Sequence, residues 1–246
     1  MTWASREKMS SPRVFFVIPA FNEAGRVGRV LRELREHGYR DLVVVDDGSA
    51  DGTASRARRA GAVVVRHRRN RGQGAALRSG IREALRRGAD VIVTFDADGQ
   101  HLAREAGRLV GPVVRGEADV VFGSRFLGAA PGIPFVKRLV LRGGVLVERL
   151  LLGARLSDAH NGFRAFSRRA AELVEISCDG MAHASEIVYE VRERGLRYRE
   201  VPVTIRYDAY SRARGQSVLN AFRILVEILR LKRWKAARWR RHRRRR

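Results

Sequence analysis

Val91-Ile92-Val93-Thr94-Phe95-Asp96-Ala97-Asp98-Gly99-Gln100-His101 is the stretch on which the reading of this chain turns. An apolar, β-branched run predicts a buried parallel strand. It ends abruptly in Asp96, Ala97, Asp98, a turn glycine, Gln100 and His101. Two carboxylates two residues apart at a strand end point to the same side, and nothing basic adjoins them in sequence. Such a pair is costly unless it meets a cation, and hard oxygen ligands suit Mg²⁺ or Mn²⁺. Mg²⁺ takes one or two carboxylates and completes its shell with waters and substrate phosphates. The turn therefore reads as one that holds a metal, which in turn holds a phosphorylated substrate. The other reading is an ordinary strand-ending turn rich in Asp and Gly.

Two further strands follow the same plan. Leu42 to Val45 empties into Asp46-Asp47-Gly48-Ser49-Ala50-Asp51-Gly52-Thr53. Asp51 or Thr53 can cap the helix expected over 54–60, which leaves Asp46 and Asp47 to accept hydrogen bonds from a base N–H or a ribose hydroxyl, as acids do in nucleotide-binding α/β folds. Val14 to Ile18 leads into Pro19-Ala20-Phe21-Asn22-Glu23 and a helix to about His37, with Asn22 as the expected N-cap. In open α/β sheets ligands sit at the carboxyl ends of strands. The crossover Arg69-Asn70-Arg71-Gly72-Gln73-Gly74-Ala75-Ala76 is a glycine-rich entry to a helix. Its small residues suit close approach to a ligand and its arginines favour phosphate, although a plain loop explains the glycines equally.

These segments, with Gly123-Ser124-Arg125 and Ser157-Asp158-Ala159-His160-Asn161-Gly162-Phe163-Arg164-Ala165-Phe166, resemble the inverting glycosyltransferases of family 2, which have the nucleotide-sugar-binding GT-A fold. Within that family the chain is most similar to the dolichol-phosphate and polyprenol-phosphate mannose or glucose synthases, over about residues 13–217. The resemblance implies an α/β fold with a Rossmann-like, mostly parallel sheet and helices on both faces. It implies that Asp47 contacts the base, with Asp46, Asn70 and Gly74 also on the nucleotide-sugar side. Pro19, Phe21 and Glu23 frame the nucleotide. Asp96, Asp98 and Gln100 surround a Mg²⁺ or Mn²⁺ ion and the donor diphosphate, and Arg125 faces a phosphate acceptor. Lys137, Arg138 and Arg142, within the apolar and basic stretch Phe135 to Leu152, are further candidates for that anion. Leu141 departs from the family pattern, where a serine is common.

The later segments bear on the acceptor. Phe135 to Leu152 reads either as a helix packed on the sheet or as one lying in a bilayer interface. Asp158 either caps the Asn161-Gly162 turn or joins the catalytic residues, as the resemblance implies. Glu186, on a helix expected over 182–195, is a general base if the acceptor is a hydroxyl and structural if it is a phosphate, because a phosphate arrives already anionic. After a strand at 198–205, Arg206, Arg212 and Arg214 lie in a loop suited to close over a diphosphate and neutralise the leaving group.

Composition fits one enzyme domain. The 246 residues suffice for a single α/β core. One cysteine, Cys178, allows no internal disulfide and fits a reducing cytoplasm. Residues 1–12 read as a loose tail rather than a secretion signal, and no apolar run is long enough to span a membrane. The net charge is +24, and Lys232 to Arg246 carries ten Lys or Arg and no acid. Such a tail suggests nucleic acid. Here it follows an apolar amphipathic helix from Val218 and contains Trp234 and Trp239, which suits an anionic membrane surface instead. The expected division is a tail over 1–12, the catalytic domain over 13–217, and a helix with a basic tail over 218–246. The expected place is the cytoplasmic face of the membrane, held peripherally. A family 2 enzyme acting on a saccharide hydroxyl, and a non-catalytic nucleic-acid- or lipid-binding protein on the same fold, are the alternatives.

Overall fold

The computed structural model describes residues 11–133 and 156–207, together with residues 135, 138, 139, 142, 143, 145 and 153. The expectations for residues 1–10, for Lys137, Arg212 and Arg214, and for the helix and basic tail after Val218 lie outside the described residues.

Four strands alternate with helices through the first half: β1 (Val14–Ala20), α1 (Val27–Glu36), β2 (Asp41–Asp46), α2 (Thr53–Arg59), β3 (Val63–Arg66), α3 (Gln73–Arg86) and β4 (Val91–Thr94). A short 3₁₀ turn and α4 (Ala106–Val114) lead to β5 (Val120–Ala129). Then come β6 (Arg164–Ser167), α5 (Arg168–Leu173), α6 (His183–Glu193) and β7 (Tyr198–Thr204). The seven strands form one sheet in the order β3-β2-β1-β4-β6-β5-β7. β1 is parallel to β2 and β4, and β2 to β3. β6 runs antiparallel to both β4 and β5, and β7 is parallel to β5. The single reversed strand leaves β1, β2, β3, β4, β5 and β7 all pointing the same way, so six strand ends open on one edge.

Burial on both faces explains the continuous apolar runs. Along β1 and β2, Phe15, Val17, Val43 and Val45 face one core, closed by Ala76, Leu77 and Ile81 of α3 and by Ile187, Val188 and Val191 of α6. The alternate residues Phe16, Ile18, Leu42 and Val44 face the other, closed by Val27, Val30, Leu31 and Leu34 of α1 and by Leu109 of α4. The fold is thus the mostly parallel α/β layer arrangement expected, with helices on both sides.

One expectation is corrected. Asn22 does not cap α1, which begins at Val27 after Arg26. Asn22 instead adopts a left-handed backbone (φ 54°), a conformation that asparagine tolerates better than most residues. Its Oδ1 accepts the N–H of Ala50, and its own N–H donates to Ser49 Oγ. It therefore staples the β1 and β2 strand ends together. Asp51 does gather the start of α2, accepting from the N–H and the hydroxyl of Thr53, and it also accepts from Ala24 N–H.

Candidate active site

At the end of β4, the Asp96 carboxylate is held from two sides. Gln73 Nε2, from the first turn of α3, donates to its Oδ1 at 3.0 Å, and His101 Nε2 donates to its Oδ2 at 3.0 Å. Burial raises the Asp96 carboxyl, but the hydrogen bond and attraction of His101, with the positive charge of Arg164 beyond, outweigh it and hold the pKa below the ordinary value. Asp98 differs. Burial and then the neighbouring Asp96 charge push its pKa up. Its Oδ1 accepts Gln100 N–H, and its carbonyl accepts from Arg26 Nη1 of the α1 entrance at 2.6 Å. The turn is pinned on its far side too, where Arg206 N–H donates to Gln100 O and His101 bridges to Ile205.

Two carboxylates of which one is driven up by the other fit a hard cation. Asp98, with the Gln100 side-chain carbonyl and a share of Asp96, offers oxygen donors of the type Mg²⁺ or Mn²⁺ accepts. Among the described residues no group of three or more His, Cys, Asp or Glu is arranged to enclose a metal. A cation here would thus complete its shell with water and substrate oxygens.

At the β2 end, Asp47 is buried and already well occupied. It accepts Arg71 N–H on both oxygens, Gly72 N–H at 2.7 Å and His67 Nδ1–H at 2.6 Å. His67 is backed by Ser79 Oγ at 2.9 Å. Asp46 accepts Ser49 N–H and pairs with Arg66 at 3.1 Å. Asn70 and Phe21 are exposed nearby in sequence to these turns, and Pro19 and Glu23 are half-buried. The glycine-rich entrance of α3 does not approach a ligand in the way its sequence suggests. A Cβ on Gly74 would lie 2.0 Å from the carbonyl oxygen of Cys178, and the N–H groups of Gly74 and Ala75 donate to Asp179 O. Gly74 is small because the chain packs on itself there, and its helix-end N–H is spent on protein.

At the β5 end, Arg125 and Asp158 come together as a buried ion pair. Arg125 N–H and Nε–H both donate to Asp158 Oδ2, at 2.9 and 2.6 Å, and Nη1 donates to Tyr207 OH at 2.5 Å. Burial works against the Arg125 cation, but Asp158 and Tyr207 more than restore it. Tyr207, whose pKa burial raises, feels the charges of both Asp158 and Asp98. Ser157 and Asp158 are in turn held by Glu200 of β7.

Glu186 is fully buried. It accepts the N–H groups of Ser177 and Cys178 at 2.9 and 2.8 Å and the hydroxyl of Ser177. This is the structural alternative for Glu186: it ties α6 to the segment before it. Arg138 and Arg142 are helical and exposed, Arg142 lying 5.8 Å from the Phe126 ring centroid. Arg206 is exposed.

The residues that sequence reasoning left without a role are Gln73, His101, Arg164, His183, Glu200 and Tyr207. His101 stands within the opening stretch, and Gln73 between the two crossover glycines, so both lay within quoted motifs. Glu200, flanked in β7 by Arg199 and Val201, gave no local signal.

The model of glycosyl transferase family 2 matches residues 15–174. The chain belongs to glycosyltransferase family 2. Relatives of this glycosyltransferase include an uncharacterised protein of Methanocaldococcus jannaschii, MJ1222, 37% identical over 226 residues that cover 90% of this chain and 93% of that one. The undecaprenyl-phosphate mannosyltransferase of Micrococcus luteus is 34% identical, covering 92% of this chain and 96% of the relative. The solved structure of glucosyl-3-phosphoglycerate synthase from Mycobacterium tuberculosis with uridine diphosphate superposes with a TM-score of 0.70 at 22% identity, covering 89% of this chain and 79% of that one. That likeness establishes the GT-A type of fold. The same synthase has also been crystallised with Mn²⁺ and UDP-glucose.

Proposed function

We propose that this glycosyltransferase moves a hexose from a nucleotide diphosphate sugar, of the GDP-mannose or UDP-glucose type, to a polyprenyl-phosphate-like acceptor at a membrane surface. The observation that carries this reading is the state of the carboxylates. Attack by a hydroxyl needs a base to take its proton. Glu186 is committed to Ser177 and Cys178, and Asp158 to Arg125. Asp96 and Asp98 form the pair that suits a cation. What the acceptor side offers is a fixed guanidinium, the group suited to an oxyanion that needs no deprotonation. The relatives support it by name: one is an undecaprenyl-phosphate mannosyltransferase and another a UDP-N-acetylglucosamine–dolichyl-phosphate N-acetylglucosaminyltransferase.

In this reading Asp96, Asp98 and Gln100 hold Mg²⁺ or Mn²⁺, which when bound supplies charge stabilisation to the departing diphosphate. Asp46, Asp47, Asn70, Pro19, Phe21 and Glu23 line the nucleotide side, and Arg206, Arg212 and Arg214 meet the diphosphate. Arg125 orients the acceptor phosphate, with Lys137, Arg138 and Arg142 toward the same anion. The acceptor attacks opposite the leaving group, so the anomeric configuration inverts in one step.

A membrane surface suits the face beside Arg125. Phe135 and Leu139 are 79% and 63% exposed, and Arg138 and Arg142 are exposed on the same stretch. No acid occurs between Asp119 and Glu148. Exposed apolar side chains set among arginines, with no acid to repel headgroups, match an anionic interface. Among the described residues no helix is long and apolar enough to cross a membrane. The basic tail adds a second, electrostatic attachment to the same surface; nucleic acid is not its specific partner in this account.

The test is release of nucleotide diphosphate from a panel of nucleotide sugars, with Mg²⁺, Mn²⁺ or EDTA, and with or without a polyprenyl phosphate. Metal-dependent release that rises sharply with the lipid phosphate supports the reading. Release driven equally well by a saccharide hydroxyl, or independent of metal, contradicts it.

A further inference from the structure

Glu200 stands on β7 opposite Phe122 of β5, one layer away from any residue so far given a role in binding. Its carboxylate nevertheless gathers four hydrogen bonds from one short turn. Oε1 accepts Ser157 N–H at 2.8 Å, Ser157 Oγ–H at 2.9 Å and Asp158 N–H at 3.1 Å, and Oε2 accepts Ser157 N–H at 2.9 Å. Ser157 has one hydroxyl proton, and Glu200 receives it. The 2.6 Å contact between Ser157 and Ser124 must then be a donation from Ser124. The Ser124 oxygen in turn accepts the N–H groups of Phe126 and Leu127, both at 3.2 Å. Every proton in this chain has one place to go, so the direction of the whole network is fixed by the carboxylate at its end.

Two branches leave Glu200. One runs through Ser157 and Ser124 and fixes the backbone just past Arg125. The other runs through Asp158, whose Oδ2 takes both the N–H and the Nε–H of Arg125. The first sets where the Arg125 main chain goes, and the second sets the plane of its guanidinium. Tyr207 closes the far side by accepting from Nη1. An arginine held along its Nε edge presents its remaining N–H groups as a rigid fork, the geometry that oxyanions select.

We propose that Glu200 is a positioning residue: acting through the Ser157–Asp158 turn, it sets the guanidinium of Arg125 for a phosphate-bearing ligand. The inference rests on the reading that Arg125 meets the acceptor phosphate. Strand pairing does not require a carboxylate here, since β5 and β7 are already registered by their backbones from Val120–Tyr198 to Ser124–Pro202. Glu200 belongs to the strand but serves the turn.

The test uses the full chain, farnesyl phosphate as a soluble acceptor probe, and UDP and GDP in Mg²⁺ buffer as donor-side probes. Binding is read by calorimetry and stability by thermal melting. Glu200→Gln keeps the shape but offers one acceptor oxygen and sets an amide N–H₂ against donors. It should weaken farnesyl phosphate about tenfold, while whichever nucleotide binds keeps its affinity within about twofold. Ser157→Ala, a gentler cut in the same network, should move affinity the same way by a smaller factor. Arg125→Lys keeps the charge and loses the fork. It should weaken farnesyl phosphate at least as much, and adding Glu200→Gln to it should change little more. The proposal is overturned if Glu200→Gln and Ser157→Ala lower melting temperature and both affinities together, or if the Glu200→Gln factor persists undiminished beside Arg125→Lys. If Arg125→Lys alone leaves farnesyl phosphate binding unchanged, the reading of Arg125 itself fails, and the role of Glu200 falls with it.

Discussion

Asp96 and Asp98 share a turn but not an environment, and the difference bears on the tasks proposed for them. Asp96 is stabilised as an anion by Gln73, His101 and the more distant Arg164. Asp98 is raised by burial and by Asp96, so a cation relieves it most. Asp98→Asn should abolish transfer and leave the fold intact, a loss of several kcal/mol of transition-state stabilisation. The check is steady-state turnover beside an unchanged melting curve; near-native turnover that still needs metal would remove Asp98 from the site. Glu186 supplies the contrast. Glu186→Gln leaves an amide N–H₂ facing the N–H groups of Ser177 and Cys178, and should cost about 1–3 kcal/mol of stability. Urea unfolding reads this directly. A variant of full stability and no turnover would make Glu186 catalytic after all.

Elements bring these residues together by packing closely enough that small changes are felt. Gly80 of α3 sits against β1, where a Cβ would come within 2.3 Å of Val17 Cγ1 and 2.9 Å of Val45 Cγ2. Gly80→Ala should cost about 1–3 kcal/mol by overpacking, measured as a lower urea midpoint at constant m-value. On α6, His183 is buried with its Nδ1–H on Gly180 O. Burial, then the charge of Arg164, lower its pKa from 6.5 to about 4. The unfolded chain therefore binds one more proton than the native chain between these values. Stability should rise with pH across that window and be lost as pH falls from 6.5 toward 4, at about 1.4 kcal/mol per unit. His183→Gln should flatten the slope, and an unchanged slope would place the titration elsewhere.

The same packing marks where sequence reading stops. The strands β1, β2 and β4 and the acids at their ends were legible because burial on both faces forces unbroken apolar runs, and each run stops at a turn. The Asp96–Asp98 spacing needed no partner to be noticed. The fit of Gly74 against Cys178, and of Glu200 against Ser157, joins residues far apart in the chain. No local pattern encodes which distant backbone will fill that space. β6 escaped for a related reason: it is four residues long and runs against its neighbours, so neither length nor alternation reveals it. The cap at Asn22 was misplaced because its side chain prefers Ala50 across the strand ends to the helix that follows.

Across the whole molecule, one edge of the sheet collects the Asp96–Asp98 turn, the Asp47 loop and the Arg125–Asp158 pair, while Phe135, Leu139, Arg138 and Arg142 are exposed. Residues 218–246 then add a dense positive charge. The full chain should leave anionic vesicles as salt rises, whereas truncation after Leu231 should release it already at low salt, and should lower activity on a lipid-embedded acceptor while leaving donor chemistry largely unchanged. Vesicle co-sedimentation reads this. Truncated protein that sediments as well as the full chain at low salt would put the attachment on the Phe135 face, and lost donor chemistry would make the tail structural.

Transfer with inversion to an oxygen that is already anionic leaves a distinct product. The most direct test is the structure of the product made from an α-linked nucleotide sugar, a polyprenyl phosphate and Mg²⁺, read by NMR at the anomeric carbon and at phosphorus. The expected product is a β-linked sugar joined through the acceptor phosphate. An α-linked product, or a sugar attached to a hydroxyl with the lipid phosphate left untouched, would contradict it.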